Sequence, residues 1–153
     1  MSTHASPADP IEAQRVAEAC RDLMWRDDRA SKALGMQVLA IGPGSATLAM
    51  TVREDMLNGH DICHGGFVTL LADSCFAFAC NGYNQRTVGQ QASITYLAPG
   101  RVGDRLTAAC REVSRQGRSG VYDVRVTNQD GTHIAEFRGH SRTVKGTHLP
   151  VDG

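Results

Sequence analysis

The chain of 153 residues has almost no lysine and no surplus of either charge. Lys32 and Lys145 are its only lysines against 14 arginines, and 16 basic residues balance 16 acidic ones. That balance is a poor match to a nucleic-acid binder, which needs a basic face, and to an acidic tail. Charged residues, at 21%, are too few for a disordered chain, and 41% apolar residues are enough for a core. No apolar run is long enough to span a bilayer, since the longest, around Phe67 to Ala79, is short and contains Asp73. There is no C-x-x-C pair, no signal-peptide pattern, no internal repeat and no low-complexity segment. The odd set Cys20, Cys63, Cys75, Cys80 and Cys110 therefore reads as reduced thiols of a cytoplasmic protein. Arginine without lysine keeps partners that carry phosphate or carboxylate open, because its planar fork binds both in a bidentate way.

The length suits one domain. Residues 1–10 read as a flexible lead-in, 11–145 as the domain and 146–153 as a loose tail. From Ile11 to about Arg26, Val16, Ala19, Cys20, Leu23 and Met24 recur at helical spacing. Met36 to Ile41 and the alternating Ala46, Leu48, Met50 and Val52 flank a Gly-Pro-Gly turn and predict a strand pair. Four further strands are predicted at about Val88 to Leu97, Asp104 to Ser114, Gly120 to Asn128 and Thr132 to Val144, read as a meander. Tyr122, Val124 and Val126 should share one face, with Asp123, Arg125 and Thr127 on the other.

After Gly66, apolar residues occupy nearly every side of a helix that runs to Cys80, which predicts burial all round. Antiparallel strands curled around one helix would provide it. The fold class is thus α+β, a curved antiparallel sheet wrapped around a long central helix, the hotdog architecture.

Asp73 lies against the burial pattern of that helix. A carboxylate there is either held by neighbouring groups for structural reasons or is a general base or nucleophile with a tuned pKa. Thr69, four residues earlier, shares its face, and with Gly66 and Ala77 it outlines a stripe of little bulk, room for a ligand or a partner chain. The preceding loop reads NGHDICHGG from Asn58 to Gly66. Gly65 and Gly66 open the helix, where free backbone N–H groups favour a developing oxyanion. His60, Asp61, Cys63 and His64 match no common zinc spacing, so no metal is expected. Cys75 and Cys80 read as core residues.

These pieces together resemble a known family. Asn58 through HGG to LLAD resembles the signature of the hotdog-fold acyl-CoA thioesterases, while YLAPGRVGDRL from Tyr96 and SRQGRSGVYDVRVTNQDGTHIAEFRGHS from Ser114 resemble the phenylacetate-degradation (PaaI) branch. The similarity runs from about Leu34 to Val144. It implies hydrolysis of an acyl-CoA, phenylacetyl-CoA or a ring-hydroxylated form, with coenzyme A as part of the substrate and no separate cofactor. Asp73 would be the catalytic carboxylate, as base or nucleophile, and Gly65, beside Gly66, the oxyanion donor. Asn58 would orient the thioester or water, and His64 belongs to the same element. The resemblance further implies a homotetramer whose sites are shared between chains. Arg101, Arg115 and Arg118, in glycine-containing turns, are candidates for the coenzyme A phosphates. Competing readings are a non-catalytic acyl-CoA-binding hotdog module and thioesterases for hydroxybenzoyl, dihydroxynaphthoyl or medium-chain groups. A hydratase of the same fold would need an Asp before its partner His, whereas here His64 precedes Asp73 by nine residues.

Overall fold

The structure, a computed structural model, describes residues 9–151. Helix α1 (Pro10–Asp27) starts at Asp9, whose carboxylate accepts the Ile11 N–H at 3.1 Å, and Pro10 fills the first turn, where no N–H is needed. Most of the expected lead-in, 1–8, lies outside the described residues. Buried Ala17 and Cys20 turn α1 inward, and Gln14 Nε2 donates to the Ile41 carbonyl at 2.8 Å. A short helix α2 (Arg29–Ala33), not foreseen from periodicity because five residues carry too little of it, follows and is capped by Asp28.

Six antiparallel strands form one sheet: β1 (Gln37–Gly42), β2 (Ser45–Thr51), β3 (Thr87–Tyr96), β4 (Arg105–Gln116), β5 (Ser119–Thr127) and β6 (His133–Thr143), in the order β1-β2-β4-β5-β6-β3. The predicted strand pair and all four later strands are present. Gly42 pairs with Ser45 across Pro43-Gly44, with Gly44 at φ +71°, so Pro sets the turn and Gly supplies its left-handed position. Only β4, β5 and β6 form the expected meander. β3 crosses to pair with β6 and leaves its other edge free among the described residues, because the central helix α3 (Gly65–Cys80) sits between β2 and β3 in the chain and carries it across the sheet.

The sheet wraps α3 as expected of a hotdog. Tyr122, Val124 and Val126 of β5, Leu106 and Ala108 of β4, and Leu48 and Met50 of β2 are buried against it. Phe76 of α3 packs on Tyr122 and Phe137 with ring centroids 5.5 and 5.8 Å away. A side chain at Gly139 would meet the Phe76 ring at 2.9 Å, so the strand must be bare there. α1 and α2 close one flank, through the Trp25–Phe78 ring contact and the Ser31–Ser74 hydroxyl pair at 2.9 Å.

Burial of α3 is nevertheless incomplete. Gly66 and Asp73 are exposed, and Leu70 and Ala77 are only partly covered, so this one stripe at helical spacing stays open in the single chain. The correction to all-round burial is geometric, since a sheet curled from one side cannot reach the far face.

The expected loose tail is also corrected in part. Asn84, at φ +57°, accepts the N–H groups of His148 and Leu149 at 3.0 and 2.7 Å, and Arg86 Nε donates to the Thr147 carbonyl at 3.2 Å. Residues 146–149 are thereby pinned beside the end of α3, by partners too distant in sequence for local pattern to show. Replacing Asn84 with Ala removes the acceptor for two backbone donors and should cost about 1–3 kcal/mol. Urea unfolding would measure that loss, and amide exchange should quicken at His148 and Leu149.

Candidate active site

Two open clefts flank the outer stripe of α3. The first, of about 730 Å³, is lined by Asp73, Phe76, Ala77, Met24, Val88 and His148, among others from β3 and the tail. The second, of about 660 Å³, is lined by Asn58, Gly65, Val68, Tyr96, Pro99 and Arg101, among others. The sequence-derived candidates are thus divided: Asp73 and Ala77 border one cleft, while Asn58, Gly65 and Arg101 border the other. Eight residues of helix separate Gly65 from Asp73, about 12 Å of rise. One reacting carbonyl cannot touch both groups of the same chain.

Asp73 stands among Phe76, Ala77 and Gly89, and a Cβ on Gly89 would lie 3.9 Å from its Oδ1. Although its side chain reaches solvent, the surrounding residues partly desolvate it and push its pKa above the ordinary carboxylate value, and no charge or hydrogen bond among the described residues offsets that shift. A carboxylate of raised pKa is a stronger base than a solvated one.

The helix start is built by three contacts. His64 is the N-cap of α3, its Nδ1 accepting the Gly66 N–H at 2.9 Å, so Gly66 has no donor to spare. This cap role fixes His64 as unprotonated at Nδ1. Tyr96 crosses from the end of β3, its hydroxyl donating to the Gly65 carbonyl at 3.0 Å and pairing with Thr69 Oγ1 at 2.6 Å. Thr69 is therefore engaged with Tyr96 rather than accompanying Asp73. A Cβ on Gly65 would meet the Tyr96 ring at 2.8 Å, so glycine is required by the ring above it. The Gly65 N–H makes no backbone bond within the described residues and lies in the cleft wall.

Asn58 closes the loop before the helix. Its Oδ1 accepts the His60 N–H at 2.9 Å and faces the Ile62 N–H at 3.4 Å, which leaves the Nδ2 donor free. The position can thus donate to a carbonyl but has no spare acceptor for a water proton. Cys63 is buried under Gly100, and burial raises its pKa to about 11, the reverse of an activated thiol. All five cysteines are free and buried.

The three arginines part company. Arg101 lines the Asn58 cleft. Arg115 stacks on Tyr83, 3.5 Å from its ring centre, and lies 3.9 Å from Glu112, which also accepts the hydroxyls of Tyr83 and Tyr122. That network occupies it structurally. Arg118 is exposed on the β4–β5 turn, outside both clefts. Sequence reasoning missed Tyr96, Gln90, Gln91, Arg86 and His148 as cleft residues. Only Tyr96 carried a signal, its place in the family-like string, and its contact with Gly65 needs the fold.

Comparison with known proteins gives the family of the chain. The pattern of the thioesterase superfamily matches residues 60–135. The acyl-coenzyme A thioesterase PaaI of Escherichia coli is 43% identical over 125 residues, 81% of this chain and 89% of that protein. The solved structure of the E. coli PaaI protein from the phenylacetic acid degradation operon superposes with a TM-score of 0.87 at 38% identity, covering 88% of this chain and 98% of that one. A Streptococcus mutans protein solved bound to acetyl CoA matches with a TM-score of 0.71 at 26% identity, covering 73% and 90%.

The contact over Gly65 is open to direct test. Gly65→Ala forces a methyl group against the Tyr96 ring and should destabilise the fold by about 1–3 kcal/mol. In chemical denaturation, combining it with Tyr96→Ala should cost less than the sum of the two single losses.

Proposed function

Since the chain belongs to the thioesterase superfamily and is an acyl-CoA thioesterase of the hotdog fold, we propose that it hydrolyses phenylacetyl-CoA or ring-hydroxylated phenylacetyl-CoA in aromatic catabolism, at sites shared between two chains. The catalytic domain is taken as residues 11–145 with the pinned tail against it, and the assembly as a homotetramer of two such dimers.

One observation carries the shared site. Gly89 of β3 stands beside Asp73, and Tyr96 of the same strand stands over Gly65, seven residues further on. The outer edge of β3 is unpaired, and Val88, Tyr96 and Leu97 near its ends are about half exposed. Antiparallel pairing of this edge with that of a second copy, about a twofold axis through the middle of the strand, exchanges the two ends. Asp73 of one chain then lies next to Gly65 of the other. The unpaired edge and the open stripe of α3 are covered by the same contact.

The reaction follows from that pairing. A water molecule, its proton accepted by the Asp73 carboxylate, attacks the thioester carbonyl carbon. The carbonyl oxygen gains charge and is held by the Gly65 N–H at the helix start and by Asn58 Nδ2 from the partner. Collapse breaks the C–S bond, and the coenzyme A thiolate leaves and takes up the proton that Asp73 holds. A thioester is activated enough for one base and one oxyanion site to suffice. His64 contributes by fixing the helix start rather than by proton transfer. Arg101, on the oxyanion side, is the arginine of the three best situated for a coenzyme A phosphate. The acyl group then lies on the Asp73 side, where Met24, Phe76 and Val88 offer apolar contacts and Ala77 leaves space.

Asp73→Asn should lower kcat about 10²–10⁴-fold on phenylacetyl-CoA, with coenzyme A binding retained in calorimetry. In the unaltered enzyme kcat should fall as acidification protonates Asp73, and at a higher pH than an ordinary carboxylate would dictate, because its pKa is raised. A complementation assay tests the sharing. Asp73→Asn and Asn58→Ala chains, each nearly inactive alone, should on co-expression recover about a quarter of full activity, since half the dimers are mixed and each holds one intact site. Absence of recovery in verified mixed dimers would refute a site built from two chains.

A further inference from the structure

The end of the Asp73 cleft opposite the carboxylate is formed by the tail. His148 borders it, held by a hydrogen bond of 2.8 Å between its Nε2 and Asn81 Oδ1. Asn81 closes α3 and cannot be turned around. Its Nδ2 donates to the carbonyls of Ala77 and Thr87 at 2.8 and 2.9 Å, and its Oδ1 accepts the Thr87 N–H at 2.9 Å. Oδ1 is therefore an acceptor for both neighbours, and the proton of the His148 contact must sit on Nε2. Partial burial, and then the charge of Arg86, lower the His148 pKa, which keeps the ring neutral near pH 7. Its Nδ1 is then an acceptor, and it has no partner among the described residues.

Asn81 caps α3 eight residues beyond Asp73, about 12 Å of helix rise, and His148 is bonded to its side chain. An attacking water, an acyl carbonyl and a benzene ring fill such a span. We propose that His148 is a specificity-determining residue, its free Nδ1 accepting a hydrogen bond from a hydroxyl on the distal part of the acyl group's ring. The proposal rests on the shared-site reading above, which puts the acyl group in this cleft. Ala77 and Gly89 keep the path between Asp73 and His148 free of bulk, and Phe76 and Val88 flank the ring. Arg86, the charged neighbour of His148 in that wall, only donates, so His148 supplies an acceptor there.

The experiment compares kcat/KM for phenylacetyl-CoA and its 2-, 3- and 4-hydroxy derivatives, with hexanoyl-CoA and octanoyl-CoA as aliphatic references. In the unaltered enzyme at least one hydroxy isomer should exceed phenylacetyl-CoA by about tenfold. His148→Phe should bring that ratio close to one, lowering the favoured hydroxylated substrate more than phenylacetyl-CoA. His148→Gln can donate to Asn81 and still present an oxygen, and should restore much of the ratio. Thermal unfolding of both variants separates damage to the tail from loss of selectivity, since damage lowers all substrates together. A ratio near one in the unaltered enzyme, a ratio unmoved by His148→Phe, or an equal fall for hydroxylated and plain substrates would each overturn the role of His148. The aliphatic references judge the other reading separately, because arylacetyl specificity fails if hexanoyl-CoA or octanoyl-CoA outruns every aryl substrate, whatever the His148 ratio shows.

Discussion

Everything in this molecule is arranged around the need to cover α3. Val68, Leu71, Ala72, Cys75, Phe76, Phe78, Ala79 and Cys80 are all buried, and they occupy more of the helix circumference than a single flat face. A sheet that curls can reach most of it, and α1 with α2 reaches a little more. What remains is the stripe Gly66, Leu70, Asp73 and Ala77, and it borders the only long strand edge that no other element covers among the described residues. An open helix stripe and an open strand edge are both unstable surfaces, one for want of apolar contact and one for want of hydrogen bonds. Their adjacency lets a second copy of the chain satisfy both at once, and the proposed chemistry occupies the seam.

That constraint also explains which parts were legible in the sequence. Strand alternation such as Tyr122, Val124 and Val126 is a local property, because side-chain direction has a period of two, and those strands were found where expected. The continuous apolar run after Gly66 told that a helix needed wrapping, and so fixed the fold class before any topology was known. Strand order was a different matter. β3 follows α3 in the chain and was read as the start of a meander, yet its place beside β6 depends on pairings nearly fifty residues apart, which no local pattern encodes. The tail was read as loose for the same reason, since its partners Asn81, Asn84 and Arg86 lie more than sixty residues before it.

The candidate site shows the same division. Asp73 stands out because a carboxylate contradicts the apolar run around it, and Gly65 because its glycine pair comes directly before the helix that bears that carboxylate. What could not be read was how neighbouring groups were already committed. His64 is consumed by capping Gly66, Thr69 by Tyr96, and Arg115 by Tyr83 and Glu112. Each is a polar residue in a plausible place that already holds a contact inside the chain. Residue type therefore marked where chemistry was possible, and hydrogen-bond accounting decided which groups were free for it.

The free groups are distributed unevenly, and the distribution has a consequence for how such a site can change. The proposed oxyanion donor is a backbone N–H, held by a helix start and by the Tyr96 ring, and the base is fixed by its position on the most buried helix. A side chain at Gly65 would disturb the packing under Tyr96, and the base cannot be moved without moving the helix on which the core is built. The rest of the Asp73 cleft is lined instead by residues such as Met24 of α1, Gln90 and Gln91 at the irregular edge of β3, and His148 of the tail. None of these belongs to the fully buried core, so substitutions there cost little stability. The reaction is thereby tied to the part of the structure that cannot vary, and the choice of acyl group to the part that can.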